Sequence, residues 1–332
     1  MKKQKKQRKP HRILRSILLI LLIAVILYAT GLIYPGGGTD RENLSPDRTD
    51  WMSLIDDQRP LSLINIPGTH DSGTRYIFPA YIFRDQNTSI PQQLNNGYRY
   101  LDVRVALNSA KDGLVIVHAF GSCRNDAALW SGALTYDSMV EDTLAFLDEH
   151  PGETVIFCVK PERSGDDVDR VRELLEQKIS ESPDSWFTEN RIPTLGEARG
   201  RIVLARRYDA QLGLDFNWDD QGDETVLDDP VAVKGMDTFT LAVQDRYHYG
   251  VEDKWNAVKY ALDNTTATEQ AFCLNFLSTA QGKVPHPLKF ARRMNSLFLS
   301  EELTAGSSYG VILFDFADAQ LAQKVIDTNL IP

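Results

Sequence analysis

Past residue 50 the chain alternates short apolar runs with stretches of helical periodicity. Apolar, β-prone runs at 61–66, 99–106, 114–118, 153–159, 201–207, 239–246, 271–277 and 309–315 predict strands. Segments 136–149, 166–181, 251–263, 286–302 and 317–328 predict helices. Thr154 to Val159 and Ile202 to Leu204 are nearly continuous apolar runs, as expected of strands buried on both faces. This alternation predicts an α/β fold, an irregular (β/α)8 TIM barrel. The irregularity is expected after the second run, where about eight residues lead to the third, too few for a crossover helix. The first run ends in Pro67-Gly68, a pair that ordinarily stops a strand and turns it.

The first 50 residues read differently. Residues 1–16 form a basic segment, expected to be cytoplasmic. Residues 17–34 are apolar apart from Thr30 and Gly31, close to the roughly 20 residues that span a bilayer. They predict a single transmembrane anchor, and the positive-inside rule then places the following domain outside the cell membrane. A cleaved signal peptide is the competing reading, which would make the protein secreted. Residues 35–50, with Gly36, Gly37 and Gly38, read as a polar linker, leaving 51–332 as the barrel.

Charge narrows the partners. The basic segment holds eight of the 36 Lys and Arg residues, so the remainder sets 28 basic residues against 46 acidic ones, a net charge of −18. A body so acidic argues against nucleic acid and against electrostatic adhesion to anionic lipid. Cys123, Cys158 and Cys273 are too scattered for a disulfide framework or a zinc site.

The polar residues that interrupt the strands carry the candidate chemistry. His70 and Asp71 follow the first run. Asp102 and Arg104, two apart, share a face of the second. His118, Lys160, the pair Arg206-Arg207, Asp245 with Tyr247, and Asp315 each sit toward the carboxyl end of a run. Singly, each is more often a satisfied structural residue. Together they would converge on one barrel mouth. Two imidazoles suit an acid–base pair near neutral pH, and a guanidinium with an ammonium suits a phosphate. No P-loop or glycine-rich nucleotide cradle is present. Asp102 could serve a metal, but Arg104 brings a fixed cation to the same place. Metal-free phosphodiester chemistry is the expectation.

IPGTHDSGT, followed by YLDVR, VIVH and VQDRY, resembles the X-domain of phosphatidylinositol-specific phospholipases C, most closely the bacterial, calcium-independent branch. The resemblance covers roughly Trp51 to the C-terminus. It implies an irregular (β/α)8 barrel and a phosphatidylinositol diacylglycerol-lyase without metal or cofactor. By motif, His70 would be the general base, held by Asp315. His118, assisted by Asp71, would be the general acid. Arg104, held near Asp102, would stabilise the charge on phosphorus. Lys160, Arg207, Asp245 and Tyr247 would bind the inositol ring. The partner would be phosphatidylinositol or a related inositol phospholipid in a membrane, with the enzyme a monomer. Two details depart from the pattern: Ala-Phe-Gly follows His118 where a Gly is expected nearer, and Arg206 adjoins Arg207. The alternatives are metal-independent cleavage of another lipid or a glycerophosphodiester, and a non-catalytic headgroup-binding module.

Overall fold

Parallel pairing dominates the sheet of the computed structural model, which describes residues 10–29, 49–128, 130–282 and 286–330. Its strands are β1 Ile66–Thr69, β2 Tyr100–Leu107, β3 Leu114–His118, β4 Gly121–Ser122, β5 Val155–Pro161 and β6 Trp186–Phe187. They continue as β7 Ile202–Arg206, β8 Leu214–Asp215, β9 Ala232–Gly235, β10 Thr240–Gln244, β11 Ala271–Phe276 and β12 Val311–Phe314. The order is β6-β7-β5-β2-β1-β12-β11-β10-β9. Every neighbouring pair from β6 to β10 is parallel, and β9 is antiparallel to β10. Among the described residues no ladder joins β9 to β6, so the sheet curls as an open barrel. The short connection after β2 makes an antiparallel hairpin with β3, with Val105 opposite Ile116. That is the irregularity expected there.

Period two decides which side chains face the cavity. Ile156, Cys158, Val203 and Ala205 belong to one buried cluster. Their neighbours Val155, Phe157, Val159, Ile202 and Leu204 belong to another, shared with helices. Those helices are α4 Tyr136–Glu149 and α5 Val168–Glu181, which bury Met139, Val140, Val171 and Leu175 at helical spacing. Thr135 and Asp167 cap them by accepting from the Ser138 and Arg170 amides. Before them come α1 Pro10–Ala29, α2 Ala80–Phe83 and α3 Ile90–Asn95. After them come α6 Leu195–Ala198, α7 Val251–Asn264, α8 Pro287–Ser300 and α9 Ala319–Asp327.

Two expectations need correction. The first run is not a strand over 61–66: Leu61–Leu63 is a 3-10 turn, and β1 begins at Ile66 and runs through Pro67-Gly68. Neighbours override the local punctuation. A Cβ on Gly68 would lie 3.1 Å from Leu313 and 3.2 Å from Tyr100, so glycine lets β12 and β2 close around β1.

The second concerns the anchor over 17–34. Helix α1 is described over Pro10–Ala29. No helix among the described residues is long and apolar enough to cross a membrane. The single-pass anchor, and the membrane-tethered placement drawn from it, are overturned. Residues 1–9, 30–34 and most of the expected linker lie outside the described residues. The linker's end is part of the fold: Thr49 is buried, and Asp50 pairs with His150 at 2.8 Å.

Candidate active site

Strand register brings the ionisable groups to one rim. Thr69 pairs with Phe314, so His70 and Asp315 emerge together, and His70 Nδ1–H donates to Asp315 Oδ1 at 2.8 Å. Arg104 pairs with Lys160 across β2 and β5. The turn back from β2 into β3 returns His118 to the level of Val103. Arg207 continues the inward parity of Val203 and Ala205, and it lines the cavity where Arg206 does not. Arg206 instead meets the Tyr208 carbonyl and Asp215. The backbone is strained at the same rim. Asp71 (φ +43°), Ala119 (φ +49°) and Phe316 (φ +48°) are left-handed and directly follow His70, His118 and Asp315. Such residues cost about 1–3 kcal/mol each and persist where the surroundings hold them.

The two imidazoles face one cavity of about 320 Å³. Their ring centroids are 6.4 Å apart and the planes cross at 79°. Asp71, 2% exposed, stands between them. Its Oδ2 lies 3.2 Å from His70 Nε2 and 3.6 Å from His118 Nε2, and its Oδ1 lies 3.7 Å from Arg104 Nε. Behind His118, Nδ1–H donates to the Phe83 carbonyl at 3.0 Å. A carbonyl only accepts, so this contact fixes the proton on Nδ1 and aims Nε2 at the cavity. Asp85 Oδ2 lies 2.9 Å from the same Nδ1 but makes no hydrogen bond to it. That contact is Coulombic.

Burial alone would lower both histidines. The carboxylates of Asp71 and Asp315 outweigh it at His70, and those of Asp71 and Asp85 at His118, and both are pushed up to about 10. Their folded values lie above the ordinary 6.5, so the stability they contribute is complete below about pH 6.5 and lost as pH rises toward 10. The melting temperature is therefore expected to fall between pH 7 and 10, with a smaller fall in His118→Gln. Equal slopes in the two proteins would contradict this.

The other wall holds cations and acceptors. Arg104 Nε and Nη2 donate to the two oxygens of Asp102 at 2.9 and 3.0 Å, a bidentate pair. Burial would raise Asp102, but Arg104 outweighs it and holds that carboxyl well below the usual range. Arg104 Nη1 also donates to Glu162 at 3.1 Å, and Glu162 in turn pairs with Lys160 at 3.3 Å. The Arg207 guanidinium lies 3.4 Å from the centroid of the Trp218 ring. Trp218 Nε1–H donates to Asp245 at 3.4 Å, and Tyr247 O–H to Asp220 at 2.7 Å.

Three overlapping sets could offer a metal three ligands: His70, Asp85, Asp315; His70, Asp71, Asp102; and Asp71, Asp85, His118. Arg104 already occupies both oxygens of Asp102, and two imidazoles flank Asp71.

No protein-family model matches the chain. It is 28% identical over 302 residues to the 1-phosphatidylinositol phosphodiesterase of Listeria monocytogenes, covering 84% of each chain. With the 1-phosphatidylinositol phosphodiesterase of Staphylococcus aureus it shares 25% identity over 274 residues, 78% of this chain and 79% of the other. The phosphatidylinositol-specific phospholipase C of S. aureus has the same fold, with a TM-score of 0.71 at 23% identity, over 87% of this chain and 100% of that one. In sequence and in fold the chain is similar to the bacterial phosphatidylinositol-specific phospholipases C. The Listeria phospholipase shares the fold at a TM-score of 0.64 and 22% identity, over 86% of this chain.

His70, Asp71, Arg104, His118, Lys160, Arg207, Asp245 and Tyr247 all line this cavity. Asp102 and Asp315 stand buried behind Arg104 and His70. Asp85, Glu162, Trp218 and Asp220 escaped the sequence reading. Glu162 had a signal, because the period that exposes Lys160 continues to it. Asp85 had none: Arg84-Asp85-Gln86 lies in no apolar run.

Proposed function

We propose that the chain cleaves phosphatidylinositol in two steps, with residues 51–332 as the catalytic unit and a membrane lipid as partner. His70 Nε2, in the molecules whose imidazole has lost its proton, removes the proton of the inositol 2-hydroxyl. The resulting oxygen attacks the adjacent phosphorus, and the bond to the diacylglycerol oxygen breaks. His118 Nε2–H gives that oxygen its proton. The products are diacylglycerol and inositol 1,2-cyclic phosphate. Water then opens the cyclic ester more slowly, with the imidazoles exchanging roles. Because the nucleophile belongs to the substrate, attack is intramolecular and needs no protein nucleophile. Asp315 orients His70, and Arg104, held by Asp102, offers its charge to the phosphorane oxygens. Lys160, Arg207 and Asp245 are suited to ring hydroxyls, and the Tyr247 ring to a sugar face.

The observation that carries this reading is the pair of imidazoles, 6.4 Å apart, with both Nε2 atoms turned to one cavity that Arg104 also enters. Binding alone requires no such pair, which disfavours a headgroup-holding module. Diacylglycerol release from phosphatidylinositol in detergent micelles is expected to persist in excess chelator. Loss of activity that a divalent metal restores would contradict the assignment of Arg104.

A further inference from the structure

The reading above leaves Asp85 without a task, although it is the carboxylate behind the second imidazole. The first imidazole has one hydrogen-bonded carboxylate behind it, Asp315. Asp71, the expected helper of His118, is elsewhere: it lies at the cavity side of both rings, against their Nε2 atoms. It cannot orient His118 from behind, and it sits where reacting oxygens must pass.

We propose that Asp85 is the positioning residue of His118, holding the imidazolium for proton donation while Asp71 is left at the reaction face. Two groups share the work behind the ring. The Phe83 carbonyl takes the Nδ1–H and fixes the tautomer. Asp85 supplies the negative charge at 2.9 Å.

The strap 83–86 is fastened so that this charge is held in place. The amides of Asp85 and Gln86 both donate to Thr74 Oγ1, at 3.0 and 3.1 Å. The Phe316 amide donates to the Asp85 carbonyl. Gln86 Nε2 donates to the carbonyls of His70 and Phe314, and Gln86 Oε1 accepts from the Ala317 amide. The segment that supports His118 is thereby tied to the backbone on either side of His70 and Asp315. Asp85 is 2% exposed, so its charge is little screened. Burial pushes its carboxyl up to about 7, opposed by His118, which makes the imidazolium its needed counter-charge. The other charged groups around His118 are Asp71 and His70 beyond β1, Asp315 beyond β12, and Arg104 and Glu162 from β2 and beyond β5. Of the charged groups among the described residues, Asp85 is the one that meets Nδ1.

The inference rests on the phospholipase reading and can be tested apart from it. Asp85→Asn keeps shape and removes charge; Asp85→Ala is the second variant. The full chain is assayed on phosphatidylinositol and on an inositol phosphodiester with a nitrophenolate leaving group, which departs without a proton. On the lipid, kcat is expected to fall about 10²-fold, within the range for lost general-acid catalysis, with KM nearly unchanged. The alkaline limb of the pH profile is expected to move to lower pH. On the activated ester the loss is expected to stay below about threefold, because no general acid is required there. Equal losses on both substrates, or none on the lipid, would overturn the proposal. Imidazole NMR gives a readout independent of turnover. His118 is expected to titrate at lower pH in Asp85→Asn, while His70 is little changed. An unmoved His118 would overturn the proposal even in an active enzyme. A moved one would uphold the charge coupling even if the wild-type chain left phosphatidylinositol intact, in which case the reaction is what fails.

Discussion

Replacement of His70 by alanine is expected to lower kcat on phosphatidylinositol by about 10³-fold or more, with the fold retained. General-base catalysis by a positioned side chain is worth about 10² to 10⁴. Asp71 is the nearest other acceptor, but its Oδ1 faces Arg104 and its Oδ2 the two imidazoles. His70 makes its Nδ1 contact with a single carboxylate oxygen of Asp315 and leaves no large cavity when truncated, so folding should survive. Circular dichroism and a urea titration check the fold, and initial rates in micelles check turnover. Unlike Asp85→Asn, His70→Ala is expected to lose as much on an activated ester as on the lipid, because every leaving group needs the 2-hydroxyl deprotonated. A variant with more than about a tenth of wild-type turnover would remove His70 from this role.

Replacement of Glu153 by alanine is expected to destabilise the protein by about 3–5 kcal/mol without changing the kcat of the molecules that remain folded. Arg99 and Glu153 are both fully buried and pair at 2.7 Å at the amino-terminal ends of β2 and β5, opposite the cavity. Burial pushes both toward neutrality, lowering Arg99 and raising Glu153, so each is the other's main support. Removing one partner leaves an uncompensated buried charge, which costs about 3–5 kcal/mol. It also strips the Met52 amide of its 2.8 Å acceptor and loosens the segment that places Trp51 in the core. Chemical denaturation reads the stability, and rates per folded molecule read the chemistry. A cost under about 1 kcal/mol, or a kcat loss with unchanged stability, would contradict this division between the two ends of the sheet.

How far the sequence could be read follows from which forces act locally. Helix α4 occupies the predicted 136–149, because its apolar spacing and the Thr135 cap are both local signals. Most strands fall within a few residues of their predicted runs for the same reason. Strand β1 does not: its limits are set by β2 and β12, which lie far along the chain. The anchor expected over 17–34 rested on hydropathy alone, and no helix among the described residues is long and apolar enough to cross a membrane. In the site, His70, His118 and Asp315 were legible because each breaks an apolar run at its carboxyl end. Asp85 was not, since its place depends on Thr74 and Phe316 holding a strap with no periodicity of its own. The choice between Arg206 and Arg207 needed only the inward parity of Val203 and Ala205.

The measurement that bears most directly on the central claim is phosphorus NMR of phosphatidylinositol micelles during turnover by the full chain. Attack by the substrate's own hydroxyl predicts that inositol 1,2-cyclic phosphate appears first and that inositol 1-phosphate grows only later, at its expense. Inositol 1-phosphate formed from the outset, with no cyclic ester preceding it, would mean that water or a protein group is the nucleophile and that the two imidazoles do not work as described.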